Sequence, residues 1–247
     1  MPNRRKKKYL AQIDWKDLDW GEIILPICPR SPGVRGRNFA ATIEALSERV
    51  THAHVILIDT LDRYNLYGQE QDPELLARIN GQDWLAESQD VLDQLSHDVT
   101  MWDEVRADPT FLSKLDLFHQ LYRESAGVRE AVDNVAEFYL SAKAWRSKEK
   151  SLPFNYAEEK QRSVAYLLEE FAGTSVYGSW WPNLPEAYWG VYVGRKDLFA
   201  QLNNLDSAID LTLPETLPVH LNRLPPPVAG EQAVLTPQPD ISGASGF

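Results

Sequence analysis

Two short apolar runs constrain the fold of this chain most: Glu22-Ile23-Ile24-Leu25-Pro26-Ile27-Cys28 and Val55-Ile56-Leu57-Ile58. Continuous apolar runs of about four to eight residues, cut off by turn formers, mark strands buried on both faces. The first run stops at the Pro- and Gly-rich segment from Pro29 to Gly36. After it Phe39, Ile43 and Leu46 recur at helical spacing, with Asn38 as the expected cap, before His52 leads into the second run. Strand, loop, helix and strand make a βαβ unit, which calls for a parallel sheet covered on both faces by helices. The loops after Ile27 and Ile58 then open on the edge where such sheets bind ligands.

From Asp72 to Trp145 the apolar residues keep a helical period, which predicts three or four amphipathic helices. Tyr156 to Phe171 reads as a further helix ended by Gly173, and Tyr188 to Val193 as a β-rich run. Prolines cluster after Asp210, which predicts an extended strap and then a disordered tail. A length of 247 residues suits one core. The expected division is a basic arm over 1–15, a single α/β domain over 16–229 and a disordered tail over 230–247.

Charge is uneven. The chain carries −11 overall, yet five of its 25 basic residues, Arg4, Arg5, Lys6, Lys7 and Lys8, sit together where there is no acid. An acidic body repels polyanions, so a nucleic-acid partner would need a local basic patch; the arm is either that patch or a solvated tail. No apolar run approaches the roughly 18 residues that cross a bilayer, and the N-terminus lacks the apolar stretch of a secretory signal, so a cytoplasmic protein with no membrane partner is expected. Cys28 is the single cysteine, which excludes an internal disulfide and multi-cysteine metal sites. The five histidines, His52, His54, His97, His119 and His220, show no metal-ligand spacing, and no phosphate-binding or dinucleotide loop is present. The expectation is therefore no metal and no cofactor.

Several segments together resemble the tRNA-dependent cyclodipeptide synthases. Ile27-Cys28-Pro29-Arg30-Ser31-Pro32-Gly33-Val34-Arg35-Gly36-Arg37-Asn38-Phe39-Ala40-Ala41-Thr42 is similar to their first strand, nucleophile loop and Phe-Ala-Ala-Thr helix. Asp59-Thr60-Leu61-Asp62-Arg63-Tyr64-Asn65-Leu66 resembles their second-strand exit. Gly81 to Leu85 and Thr100 to Glu104 resemble their helical middle, and Tyr166-Leu167-Leu168-Glu169-Glu170 resembles the Tyr-x-x-x-Glu of their catalytic helix. The similarity spans roughly residues 20–200. It implies a Rossmann-like parallel sheet flanked by helices, like the catalytic domain of class I aminoacyl-tRNA synthetases. The activity it implies joins aminoacyl groups from two charged tRNAs into a 2,5-diketopiperazine through a covalent aminoacyl-enzyme. Cys28, Ser31, Tyr166, Glu170 and Tyr192 are the implied catalytic residues; Pro26, Asp59, Thr60, Tyr64, Asn65 and Tyr188 are the implied substrate contacts.

The residues support parts of this independently. Tyr166 and Glu170 are four apart and share a helix face. A carboxylate there could hold an α-ammonium and then take its proton, with the phenol donating beside it; otherwise Tyr166 is core and Glu170 solvated. Glu169 and Glu158 are expected in solvent. Where the family has serine this chain has Cys28, with Ser31 three residues on. A cysteine would give a thioester, with its thiolate favoured by a helix N-terminus. The remaining alternatives are Ser31 as nucleophile or an inert loop. The stretch matching the family's basic RNA-gripping helix, Asp83 to Asp98, holds no Lys or Arg. Arg4 to Lys8, the loop residues Arg30, Arg35 and Arg37, and Lys143, Arg146, Lys148 and Lys150 are the basic alternatives for tRNA. An acidic member of this kind is similar to the arginine-using fungal relatives. DNA is not expected as a partner, and a monomer is. Rival readings are a non-catalytic protein binding aminoacyl-tRNA or a nucleotide, and a hydrolase pairing Cys28 with His52 or His54.

Overall fold

The two apolar runs sit side by side at the centre of one sheet. The computed structural model describes residues 9–13, 21–66, 71–149, 153–189, 213–214 and 216–223. Among them are strands β1 (Tyr9–Ile13), β2 (Glu22–Ile27), β3 (His52–Leu57), β4 (Ser96–Met101), β5 (Glu186–Trp189) and β6 (Thr216–Arg223), ordered β1-β6-β5-β2-β3-β4. All neighbours run parallel except β1 against β6. Counted along the chain, the parallel strands have the order 3-2-1-4-5 of dinucleotide-binding sheets, whose chain direction switches beside the first strand, here between β2 and β5.

Ile23, Leu25, Ile27, Ala53, Val55 and Leu57 face one side of the sheet, and Ile24 and Ile56 the other; all are fully buried. The first face packs on α1 (Gly36–Ser47) and α2 (Pro73–Leu92), through Phe39, Ile43, Leu46 and Trp84. The second packs on α3 (Trp102–Ala107), α4 (Phe111–Glu124), α5 (Ala126–Glu149) and α6 (Tyr156–Trp180). Each such aliphatic side chain contributes roughly 1.5–3 kcal/mol of burial. No described helix is long and apolar enough to cross a membrane.

Five sequence expectations change. Asn38 is inside α1, not its cap; the helix starts at Gly36, whose φ of 52° lies in the left-handed region that glycine tolerates. The stretch read as continuous helix contains β4, whose polar, half-exposed residues pair in register with β3. The helix expected to end at Gly173 runs on to Trp180 because Gly173 is a packing position: a Cβ there would lie 2.1 Å from the Trp102 ring. Residues 166–178 of α6 are buried on all sides, so small residues are what let its neighbours approach. Finally, part of the proline-rich strap is β6, and part of the 1–15 segment is β1 paired with it.

Candidate active site

β2 and β5 touch through Ile24 and Glu186, with the Ile24 N–H donating to Pro185 O at 2.8 Å. Amides two apart on a strand point the same way, so Pro26, which has no N–H, stands on that side just where the pairing stops. Cys28 follows at the end of β2, beside the opening. Its carbonyl accepts from Ser31 N at 2.9 Å, which closes a turn, and the Arg35 Nε donates to Pro29 O at 2.6 Å. The loop's far end is fastened by the buried Trp84 Nε1, 2.8 Å from Val34 O.

The Cys28 residue is partly accessible, but its sulfur is not where a thiolate is favoured. Burial and then the Asp62 carboxylate push the thiol up to about 12; the Arg30 backbone N–H opposes this, and the Glu170 charge adds to it. This corrects the expectation of a thiolate stabilised by a helix N-terminus: desolvation and two carboxylates outweigh it. Alkylation of Cys28 by iodoacetamide should consequently rise about tenfold per pH unit from pH 7 to 10 without levelling, because the thiolate fraction is still growing. The same thiol in denatured protein should level near pH 9, and a plateau at that pH in the folded protein would contradict the assigned environment.

The turn after β3 supplies the opposite wall. Asp62, with its side chain 6% exposed, accepts from Arg30 Nη1 at 3.2 Å and from Asn65 Nδ2 at 2.9 Å. Its carboxyl is nevertheless raised, since burial outweighs Arg30 and Asn65. Tyr64 meets Tyr166 of α6 edge to face at 6.5 Å. Glu170, one helical turn after Tyr166, is buried rather than solvated, and its charge reaches Cys28. Strand β2, the turn at 60–65 and α6 therefore bring Cys28, Asp62, Tyr64, Tyr166 and Glu170 together.

Other expected contacts fall elsewhere. Asp59 and Thr60 are sealed in the frame: Asp59 accepts from Trp102 N at 3.3 Å and packs against Gly81, and Thr60 donates to Asp103 at 3.0 Å. Both side chains hold the turn against α2 and α3. Glu169, expected in solvent, is buried as an anchor. It accepts from both Arg63 Nη atoms at 3.1 and 2.5 Å, from Tyr64 Oη at 2.9 Å and from Trp102 Nε1 at 3.1 Å. Its signal in the sequence was its setting: two acids amid Leu167, Leu168, Phe171 and Ala172 in a stretch of helix with no polar face. Glu158 is exposed as expected. Arg30, Asp62 and Arg63 lie inside recognised motifs, but only the folded turn shows what they pair with.

The hydrolase pairing fails on topology. Glu22 pairs with His52 and Ile27 with Leu57, so both histidines sit about 13–20 Å from Cys28 along the strands. Of the basic groups, Lys143 is engaged with Glu159 at 3.1 Å, whereas Lys148, Arg35 and Arg37 are exposed. Tyr188 lies in β5 and Arg146 in α5. Arg4, Arg5, Lys6, Lys7, Lys8, Lys150, Tyr192 and the tail lie outside the described residues.

No protein-family model matches the sequence, and no curated protein matches it. Solved structures share its fold. A cyclodipeptide synthase from Fluoribacter dumoffii superposes with a TM-score of 0.75 at 14% identity, over 89% of this chain and 100% of that one. One from Candidatus Glomeribacter gigasporarum, bound to Phe-tRNAPhe, gives 0.62 at 19% identity, over 85% and 92%. A Mycobacterium tuberculosis protein, whose structure related cyclodipeptide synthetases to type I tRNA synthetases, gives 0.58 at 9% identity, over 90% and 99%. The chain thus has the Rossmann-like fold of the cyclodipeptide synthases, as its sequence resemblance predicts.

Proposed function

We propose that the chain is a tRNA-dependent cyclodipeptide synthase that carries its first aminoacyl group on Cys28. The observation behind this reading is the meeting of Cys28, at the switch-point edge of the sheet, with Glu170 of α6, in a fold shared with cyclodipeptide synthases. The Cys28 sulfur attacks the ester carbonyl of an aminoacyl-tRNA; the S–C bond forms, the C–O bond breaks, and the thiol proton goes to the released ribose hydroxyl. Because the thiol starts protonated, proton removal accompanies attack. The amine of the second aminoacyl-tRNA then attacks the thioester, forming a C–N bond and returning Cys28 as the thiol. Attack of the remaining amine on the second ester closes the ring and frees the second tRNA. Glu170 takes the amine proton, and Tyr166 donates a hydrogen bond beside it. Ser31, Pro26, Tyr64, Asn65, Tyr188 and Tyr192 are assigned to orienting the aminoacyl groups.

A cationic amino acid, as in the arginine-using fungal relatives, is the substrate class we favour, because Asp62 and Glu170 flank Cys28 with Arg30 as the nearby counter-charge. Mass spectrometry of medium from cells expressing the protein tests the function. A new diketopiperazine containing arginine or lysine is expected; a protein that only held aminoacyl-tRNA would add none.

The Glomeribacter synthase bound to Phe-tRNAPhe supports aminoacyl-tRNA as the partner. Helix α2 and the residue capping its end expose Asp83, Glu87, Asp90 and Asp93, a surface that repels phosphates, so Arg35, Arg37, Lys148 and the basic residues at 4–8 are assigned the RNA. Removing residues 1–8 should weaken tRNA binding and flatten its dependence on salt, by about 0.7–0.9 in log–log slope for each phosphate the arm had neutralised. An unchanged slope would leave only the internal groups.

A further inference from the structure

His52 and His54 are two apart on β3, so their side chains share one face of the sheet. The β4 register sets Ser96 beside His52 and Asp98 beside His54. His52 Nε2 and His54 Nδ1 converge on one atom, Asp98 Oδ2, at 3.1 and 2.9 Å. Their outer nitrogens are also engaged: His52 Nδ1 lies 2.9 Å from Ser96 Oγ, and His54 Nε2 lies 3.4 Å from Glu22 Oε2. Trp181 stacks on the His54 ring at 4.2 Å between centroids.

His54 therefore faces a carboxylate from each ring nitrogen. A neutral imidazole has one N–H and cannot donate to both, so with Nε2–H donating to Glu22 the Nδ1 lone pair is turned inward towards Asp98. A metal ion drawing the three inner donor atoms together would keep both outer contacts. The lone pairs of His52 Nε2 and His54 Nδ1 would face it together with Asp98, while His54 Nε2–H donates to Glu22 and His52 Nδ1–H donates to Ser96. Such outer partners fix the tautomer of metal-ligating histidines. The three inner donor atoms lie within 4.8 Å of one another. Bonds of about 2.0–2.2 Å to zinc place tetrahedral donors roughly 3.3 Å apart. Two imidazole nitrogens with one carboxylate suit zinc better than the all-oxygen cations. The carboxylates of Asp98 and Glu22 balance a double charge, and Asp98, half exposed, leaves a fourth position open to water.

We propose that His52, His54 and Asp98 bind one zinc-like divalent cation, with Glu22 and Ser96 orienting the two imidazoles. The site lies at the opposite end of the strands from Cys28 and takes no part in acyl transfer. β4 is the edge strand of the sheet, half exposed and poor in apolar residues, and the ion would staple it to β3. Histidine spacing along the sequence carries no trace of this; it arises from the pairing of β3 with β4.

The test uses the full chain, stripped with chelator and titrated with zinc chloride in a calorimeter. One equivalent should bind, zinc should raise the melting temperature, and cobalt(II) in its place should give the visible absorption of a four-coordinate site. His52→Ala and Asp98→Asn should each weaken zinc binding by about 100-fold or more, and Glu22→Gln by about 10- to 100-fold. His119→Ala, on α4, should bind as the parent does. Asp98 points outward, so Asp98→Asn decides the matter even if His52→Ala fails to fold. Absence of zinc binding in the parent, or parental affinity in Asp98→Asn, would overturn the site.

Discussion

Replacing Glu170 by Gln is expected to cut diketopiperazine output by two or more orders of magnitude, and Glu169→Gln, one residue earlier, to act chiefly by lowering stability. The two acids are adjacent and equally buried, so burial does not separate them; their neighbours do. Glu170 lies where its charge acts on Cys28, and an amide there keeps the shape but neither holds an ammonium nor accepts its proton. Glu169 balances a largely buried guanidinium through two hydrogen bonds from Arg63, and a Gln leaves that charge without its counter-ion. Breaking a buried pair from one side costs about 3–5 kcal/mol. That is a large share of the roughly 5–15 kcal/mol by which a domain is stable. Urea unfolding and product measured by mass spectrometry on both variants separate the roles. Parental turnover in Glu170→Gln would remove it from the chemistry, and a parental unfolding midpoint in Glu169→Gln would remove its anchor role. Tyr166→Phe should lower output less, since it removes a hydrogen bond and leaves the base.

Cys28→Ala should abolish covalent labelling altogether, because alanine has no attacking atom. Incubated with radiolabelled aminoacyl-tRNA, the parent should retain label as a thioester that neutral hydroxylamine releases quickly. Ser31→Ala should keep that label, since it leaves the Cys28 sulfur and the hydrogen bond from Ser31 N–H to the Cys28 carbonyl in place. Cys28→Ser should make product slowly, since a hydroxyl is a weaker nucleophile in a site already poor at removing a proton. Label that survives in Cys28→Ala and disappears in Ser31→Ala would move the active centre three residues along the loop.

How much of this could be read in advance depends on the range of the interactions concerned. β2, β3 and α1 were legible because strands buried on both faces must be continuously apolar and an amphipathic helix must repeat its apolar residues. Tyr166 and Glu170 were legible as one face of one helix. β4 was not: Ser96, His97 and Asp98 carry no strand signature, and they are a strand because β3 offers its edge to them. Gly173 looked like a helix end because local propensity treats glycine as a breaker, whereas the Trp102 ring makes it a packing requirement.

By itself the sequence determined the parallel α/β core, the loop carrying Cys28 at its binding edge, and the helix face shared by Tyr166 and Glu170, since each follows from neighbours within a few residues. Only the tertiary structure decided that Glu169 anchors Arg63 and that Glu170 is buried with its charge acting on Cys28. It also decided that the Cys28 thiol is held protonated, that Asp59 and Thr60 belong to the frame, and that His52, His54 and Asp98 meet. The physical reason is common to these cases. Desolvation and charge pairing depend on which groups lie within a few ångströms, and those groups come from segments as many as 106 residues apart, as Arg63 and Glu169 do.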